Sequence, residues 1–260
     1  MKPFGSYLIA AAAAAALAGC GQRAAPVETR PVSEAEKAGY VQAPRVDRVV
    51  AVGGGVVLHG QARPGERVRA TAASGAAYGA TADDRGRFAL QIPAQAGPLF
   101  AKVAAVEGQR VTQAEGWVFV PPGDVRRVAV LRPGAPSTVI DTGAPLIAAF
   151  DYDGGGGAAV SGQAAANAEV RLSLDGAPRG SVRADAAGRY GFRLSQAPAG
   201  ARLLRVVSGE HSQERTVVLT TPAPGQGAAV VRDPDAWRVD WSTPAGGAQS
   251  TLLFTDGPTS

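Results

Sequence analysis

The sequence predicts an all-β chain: two β-sandwiches in tandem, closed by a C-terminal β-hairpin. Three observations carry that expectation. The first is a repeat. Gly60-Gln61-Ala62, Val68-Arg69, Ala82-Asp83 and Gly86-Arg87-Phe88 return, 102 positions later and without a gap, as Gly162-Gln163-Ala164, Val170-Arg171, Ala184-Asp185 and Gly188-Arg189-Tyr190. Gly53-Gly54-Gly55 answers in the same way to Gly155-Gly156-Gly157. A unit this long exceeds a solenoid repeat and suits a whole small domain. The second is periodicity: apolar residues fall in short runs that alternate with polar ones and are bounded by Gly and Pro. The third is that no amphipathic helix of useful length interrupts these runs, and turns every ten or so residues are the pattern of a sandwich.

The chain opens with Lys2 and then an apolar run from Tyr7 to Ala18, shorter than the roughly 20 residues that a membrane-spanning helix needs. It ends in Leu17-Ala18-Gly19-Cys20, which resembles a bacterial lipobox. The resemblance implies a lipoprotein signal peptide over 1–19, cleavage before Cys20, a thioether from its sulfur to diacylglycerol, and acylation (palmitate) of the new amino group. A plain secretory signal with an incidental cysteine is the alternative. By resemblance to the sorting rule of such lipoproteins, Gly21 after the cysteine implies the outer membrane, with the protein facing the periplasm. Two or three acyl chains anchor durably, because each buried methylene contributes about 0.8 kcal/mol.

Residues 20–43 read as the lipidated cysteine and a flexible linker, interrupted by Pro26 and Pro31. As a coil it spans about 27 Å, and stretched it reaches roughly 80 Å. It would hold the first domain off the membrane.

The first repeat, 44–134, holds Val49 to Val52 before the triple glycine and Val56 to Leu58 after it. Arg67 to Ala70 alternates, and Arg87 to Ile92 does so strictly, with Phe88, Leu90 and Ile92 on one face. Lys102 to Ala104, Trp117 to Val120 and Val125 to Leu131 bring the expectation to seven or eight strands. The second repeat, 136–235, reads alike: Pro145 to Tyr152, Ala159 to Ser161, Glu169 to Leu174, Tyr190 to Leu194, Leu203 to Val207, Thr216 to Thr220 and Ala228 to Val231. Each copy is long enough to bury one small core. Phe88 and Tyr190 should be equivalent inward-facing residues.

On these residues a family resemblance can be stated. Gly60, Ala62, Gly65 and Val68, followed by Ala82, Asp83, Gly86, Arg87 and Phe88, resemble the pattern of bacterial Ig-like and carboxypeptidase-regulatory-like (transthyretin-type) domains. The resemblance implies an Ig-like sandwich for each repeat and is silent on activity. The second copy departs at Asn167, where the first has Gly65; Asn is the next-best residue for a left-handed turn. Asp83 and Asp185 can accept hydrogen bonds from the turn backbone, and Gly86 and Gly188 supply positive φ.

The tail, 236–260, has no counterpart in the first copy. Trp237, Val239 and Trp241 alternate with Arg238, Asp240 and Ser242, and a Pro-Ala-Gly-Gly turn leads to Ser250 through Phe254. This reads as a hairpin with an aromatic face. A lone hairpin is marginal in water, so it either docks on the second domain's sheet edge or offers itself to a partner. Trp237, Val239, Trp241 and Phe254 are therefore the candidate interaction residues.

Other chemistry is thin. The net charge of +4 is dispersed arginine with no basic block, which argues against nucleic acid as a partner. Cys20 is the only cysteine and His59 and His211 the only histidines, so neither a disulfide framework nor a zinc site is expected, and no cofactor. Asp141-Thr142-Gly143 matches an aspartic-protease fragment, but that chemistry needs two carboxylates sharing a proton, and a second Asp-Thr/Ser-Gly is absent. Asp151-Tyr152-Asp153-Gly154 hints at a calcium loop without its later acidic ligands and reads better as a glycine-rich turn. The expectation is a non-enzymatic, lipid-anchored envelope protein, a spacer and protein-interaction module whose partner is an envelope protein. The alternative is a peptidoglycan or polysaccharide binder that stacks sugars on Trp237 and Trp241.

Overall fold

The computed structural model describes residues 41–140, 143–195, 197, 199–224 and 228–255. The expected signal peptide, Cys20 and most of the linker, together with Asp141 and Thr142, lie outside the described residues. In the first repeat the strands are β1 (Arg45–Val52), β2 (Gly55–Gln61), β3 (Arg67–Ala72), β4 (Ala77–Thr81), β5 (Arg87–Pro93), β6 (Leu99–Glu107), β7 (Arg110–Gln113), β8 (Trp117–Val120) and β9 (Ala129–Leu131), and β10 (Thr138–Val139) follows, past the expected boundary at 134. In the second they are β11 (Ala149–Tyr152), β12 (Ala158–Gln163), β13 (Glu169–Leu174), β14 (Ala177–Arg183), β15 (Arg189–Leu194), β16 (Gly200–Ser208), β17 (His211–Leu219) and β18 (Ala228–Arg232), and the tail supplies β19 (Ala236–Ser242) and β20 (Ala248–Phe254).

These strands make four sheets, and the chain is two β-sandwiches in tandem. The first pairs a β1-β2-β5 sheet with a β10-β9-β8-β6-β3-β4 sheet that also carries β7 on β6. The second pairs β15-β12-β11-β20-β19-β18 with β14-β13-β16-β17. Alternation sets the faces. Leu58, Val68, Phe88, Leu90 and Ile92 fill the first core, and Phe150, Val160, Leu172, Tyr190 and Leu204 the second. Phe88 and Tyr190 are both buried, as their shared register position requires.

The repeated motif has a repeated geometry. Asp83 Oδ1 accepts from the backbone N–H groups of Arg85 and Arg87 at 2.9 and 2.8 Å, and Asp185 Oδ1 accepts from Ala187 and Arg189 at 2.8 Å each. In both copies the arginine that follows folds back, Nε to Asp Oδ2, at 3.1 Å. Gly86 and Gly188 sit at φ 77° and 79°, the left-handed region that favours glycine. Asn167 takes φ 60° where Gly65 takes 72°, so the one departure in the pattern keeps the turn. Gly60 and Gly162 recur for another reason: a Cβ there would collide with the carbonyl oxygens of Arg45 and Leu146.

Several elements differ from expectation. Val125 to Leu131 is not one strand but a 3-10 turn over Val125–Arg127, opened by the Asp124 side chain accepting from Arg126 N–H, followed by the short β9. β4, β7, β10 and β14 appear where no alternation announced them; every residue of β14 but Val182 is exposed. The copies also part company at their ends. β9 adds to β8 beside the first core, whereas Ala228–Arg232 joins the hairpin in the opposite sheet of the second.

Candidate functional site

The tail hairpin is not free. β20 lies antiparallel on the edge of β11, with Ala149 opposite Leu253 and Asp151 opposite Thr251, and β19 and β18 extend the sheet beyond it. The docking reading is what the structure shows. Strand alternation then divides the hairpin's side chains. Ala236 and Phe254 turn into the second core, while Val239, Trp241 and Leu253 turn the other way.

That second face meets the first sandwich. Phe100, Phe119, Ala129, Leu131 and Val139 leave the outer face of the first sandwich's larger sheet and pack with Ala148, Ala149, Val239, Trp241 and Leu253. Ala101, Val118 and Val120, one residue out of phase with those aromatics, face the first core instead. The four sheets are therefore stacked as four layers with three apolar fillings. Trp241 is fully buried, its ring 6.3 Å from Phe100, which in turn stacks on Trp117 at 4.4 Å. Pro136 closes the seam at one side, where a Cβ on Gly191 would press on its ring at 2.9 Å.

One carboxylate sits inside this seam. Asp151 is almost completely buried and accepts from Ser137 N–H at 2.7 Å, Ser137 Oγ at 2.6 Å, Thr251 Oγ1 at 2.7 Å and Gln249 Nε2 at 3.1 Å. Gln249 also takes Gly134 N–H on its oxygen and gives its amide to the Arg132 carbonyl, both at 3.1 Å. Ser161 Oγ donates to the Ser137 carbonyl, and Trp241 Nε1 donates to Thr251 Oγ1 at 3.1 Å. The loop between β9 and β10, 132–137, is thus sewn to the second sandwich through Asp151, Gln249 and Ser161. Burial pushes the Asp151 carboxyl up to about 6, against the hydrogen bonds from Ser137, Thr251 and Gln249 that pull it down. No ion pair reaches Asp151 among the described residues. A buried charge without a countercharge is tolerable only with its lone pairs satisfied.

The candidate interaction residues are thus assigned internal places. Trp241, Val239 and Phe254 are buried, and Trp237 is half-buried under the Arg232 guanidinium, 5.1 Å above its ring. The two tryptophans do not form an open pair of rings, which is the arrangement that stacking on sugars needs. Asp153 caps its own glycine loop, accepting from Gly155 and Gly157 N–H at 2.8 and 2.9 Å, as a turn residue does. Gly143, the last residue of the protease-like fragment, donates its N–H to Gln163 Oε1 at 2.8 Å; the aspartate of that fragment lies outside the described residues. Among the described residues no group of three or more His, Cys, Asp or Glu side chains could hold a metal. Sequence reading had no signal for the aromatic seam of Phe100, Phe119 and Leu131, because outward-facing apolar residues on a strand announce only that something covers them.

No protein-family model and no curated protein matches the chain. Among solved structures it is similar to the "Central Fibronectin-III array of RIM-binding protein", with 14% identity, 82% of each chain covered and a TM-score of 0.29. A score that low does not extend to a shared arrangement of the strands.

Proposed function

We propose that this is a non-enzymatic, lipid-anchored protein of the bacterial cell envelope, held in the outer membrane through Cys20, whose two sandwiches form one rigid spacer and protein-interaction module. The observation that supports the spacer most is the apolar seam. Two domains joined only by a linker reorient freely by default, whereas here a third core, with a satisfied polar network inside it, joins them. The lipobox-like Leu17-Ala18-Gly19-Cys20 supports the anchor, and the Asp-x-x-Gly-Arg turns support kinship with carboxypeptidase-regulatory-like domains. The sealed setting of Asp151, bound by hydroxyl and amide donors, suits a structural role better than proton transfer.

Cys20→Ser tests the anchor, because only the cysteine sulfur can take the diacylglyceryl group. The substituted protein should stay unprocessed or leave the membrane fraction. A Cys20→Ser protein of mature size, fully membrane-bound, would overturn the anchor.

A further inference from the structure

The two copies differ at one edge. Arg48, Val49 and Val50 of β1 oppose His59, Leu58 and Val57, while Ala149, Phe150 and Asp151 of β11 oppose Ser161, Val160 and Ala159. Those partner residues are each 102 apart, so β1 and β11 are counterparts. The far edge of β11 is filled by β20. Among the described residues the far edge of β1 pairs with nothing, and five of its eight residues are exposed, Val52 included.

Unpaired edges are usually blunted by short length, charge or a bulge. β1 has charge and a bulge between Val46 and Arg48, but from Val49 to Val52 it is uncharged. Beside that half lies an apolar groove of about 230 Å³, bordered by Ala51, Val56, Ile92, Leu99, Val120 and Val125. Two features thus coincide: a row of unpaired backbone donors and acceptors, and a pocket that β1 borders with the inward-facing Ala51. Arg48, exposed on the outward face, has no ion pair among the described residues.

We propose that the β1 edge of the first sandwich takes an extended segment of a partner protein by antiparallel strand addition. Backbone hydrogen bonds supply the affinity, and the groove supplies the choice of sequence. The counterpart shows the chemistry that such an edge accepts. Opposite Phe150 stands Leu252, packed against the second core, and opposite Asp151 stands Thr251 on the outward face. The partner segment therefore carries an apolar residue opposite Val49, as Leu252 stands opposite Phe150. The groove beside Ala51, and not the counterpart, where Ser250 stands opposite Tyr152, calls for a second, and Arg48 calls for a carboxylate on the outward face. This inference rests on the interaction-module reading and supplies its binding site.

The test uses the full mature chain in detergent and a synthetic peptide, Ser-Leu-Thr-Phe-Glu-Val-Thr, with a control of the same composition in which Leu and Phe are adjacent. Saturable binding of the first peptide, with slowed amide exchange over Val49–Val52, is expected. Ala51→Lys should weaken it at least tenfold. Arg48→Glu should weaken it several-fold, and a peptide with Lys in place of Glu should recover that loss. Equal binding of the control, protection over β17 or β20 instead, or indifference to the charge swap would overturn the proposal. So would concentration-dependent dimerisation abolished by Ala51→Lys, which assigns the edge to a second copy. Faster β1 exchange on deleting 21–40 would assign it to the chain's own linker. Failure in this test leaves the rigid spacer standing, since rigidity is read from the seam.

Discussion

At the scale of single residues, the two copies explain each other. Asp83 and Asp185 make the same pair of backbone bonds and the same arginine contact, so the repeated letters are repeated geometry and were legible from sequence. Phe88 and Tyr190 were legible for the same reason. Truncating either to Ala should cost about 3–5 kcal/mol, the usual range for a buried aromatic, and denaturant unfolding at neutral pH would show it. Asp151 was not legible, because its role depends on Ser137, Gln249 and Thr251, which meet it only after the hairpin has docked. Its carboxyl loses its proton near 6 when folded and near the ordinary 3.8 when unfolded. Between those values the folded state holds a proton that the unfolded state has released. This group's contribution to stability is thus complete below about pH 4, falls as pH rises to 6, and is flat above; the total is about 3 kcal/mol at 1.36 kcal/mol per pKa unit. The difference in unfolding free energy between the native chain and Asp151→Asn, followed from pH 4 to 7, should shift by that order. A constant difference would mean that the carboxyl is not perturbed.

At the scale of elements, alternation found the strands with a fully buried face and missed the short or mostly exposed ones, β4, β7, β10 and β14. β5 reads as strict in-and-out burial, whereas β14 is exposed almost throughout, so only pairing to β13 makes it a strand. The hairpin was legible as a hairpin, with its docking left open, because an aromatic face in water is unfavourable whatever covers it. Its double burial sets a prediction. Deleting 236–260 removes Phe254 from the second core and uncovers Phe100, Phe119 and Leu131 on the first sandwich. Thermal unfolding of the shortened chain should begin at lower temperature and split into separate transitions, with increased binding of a hydrophobic dye before melting. An unchanged melt would mean that the tail contributes nothing to either sandwich.

At the scale of the molecule, the third apolar layer joins the two sandwiches. Tandem sandwiches are ordinarily beads on a string. Here the outer face of one sheet, made apolar by Phe100 and Phe119, meets a sheet widened by the C-terminal hairpin, and the β9–β10 loop is bonded across the seam to Asp151 and Gln249. The result is a single body of four layers, well suited to present a binding edge on a fixed frame. Spin labels at Gln91→Cys on β5 and Ser212→Cys on β17, on opposite outer sheets, test this directly in a chain that also carries Cys20→Ser. Pulsed dipolar spectroscopy should give one narrow distance distribution that broadens when Trp241→Ala empties the seam. A broad or multimodal distribution in the unaltered chain would contradict the account.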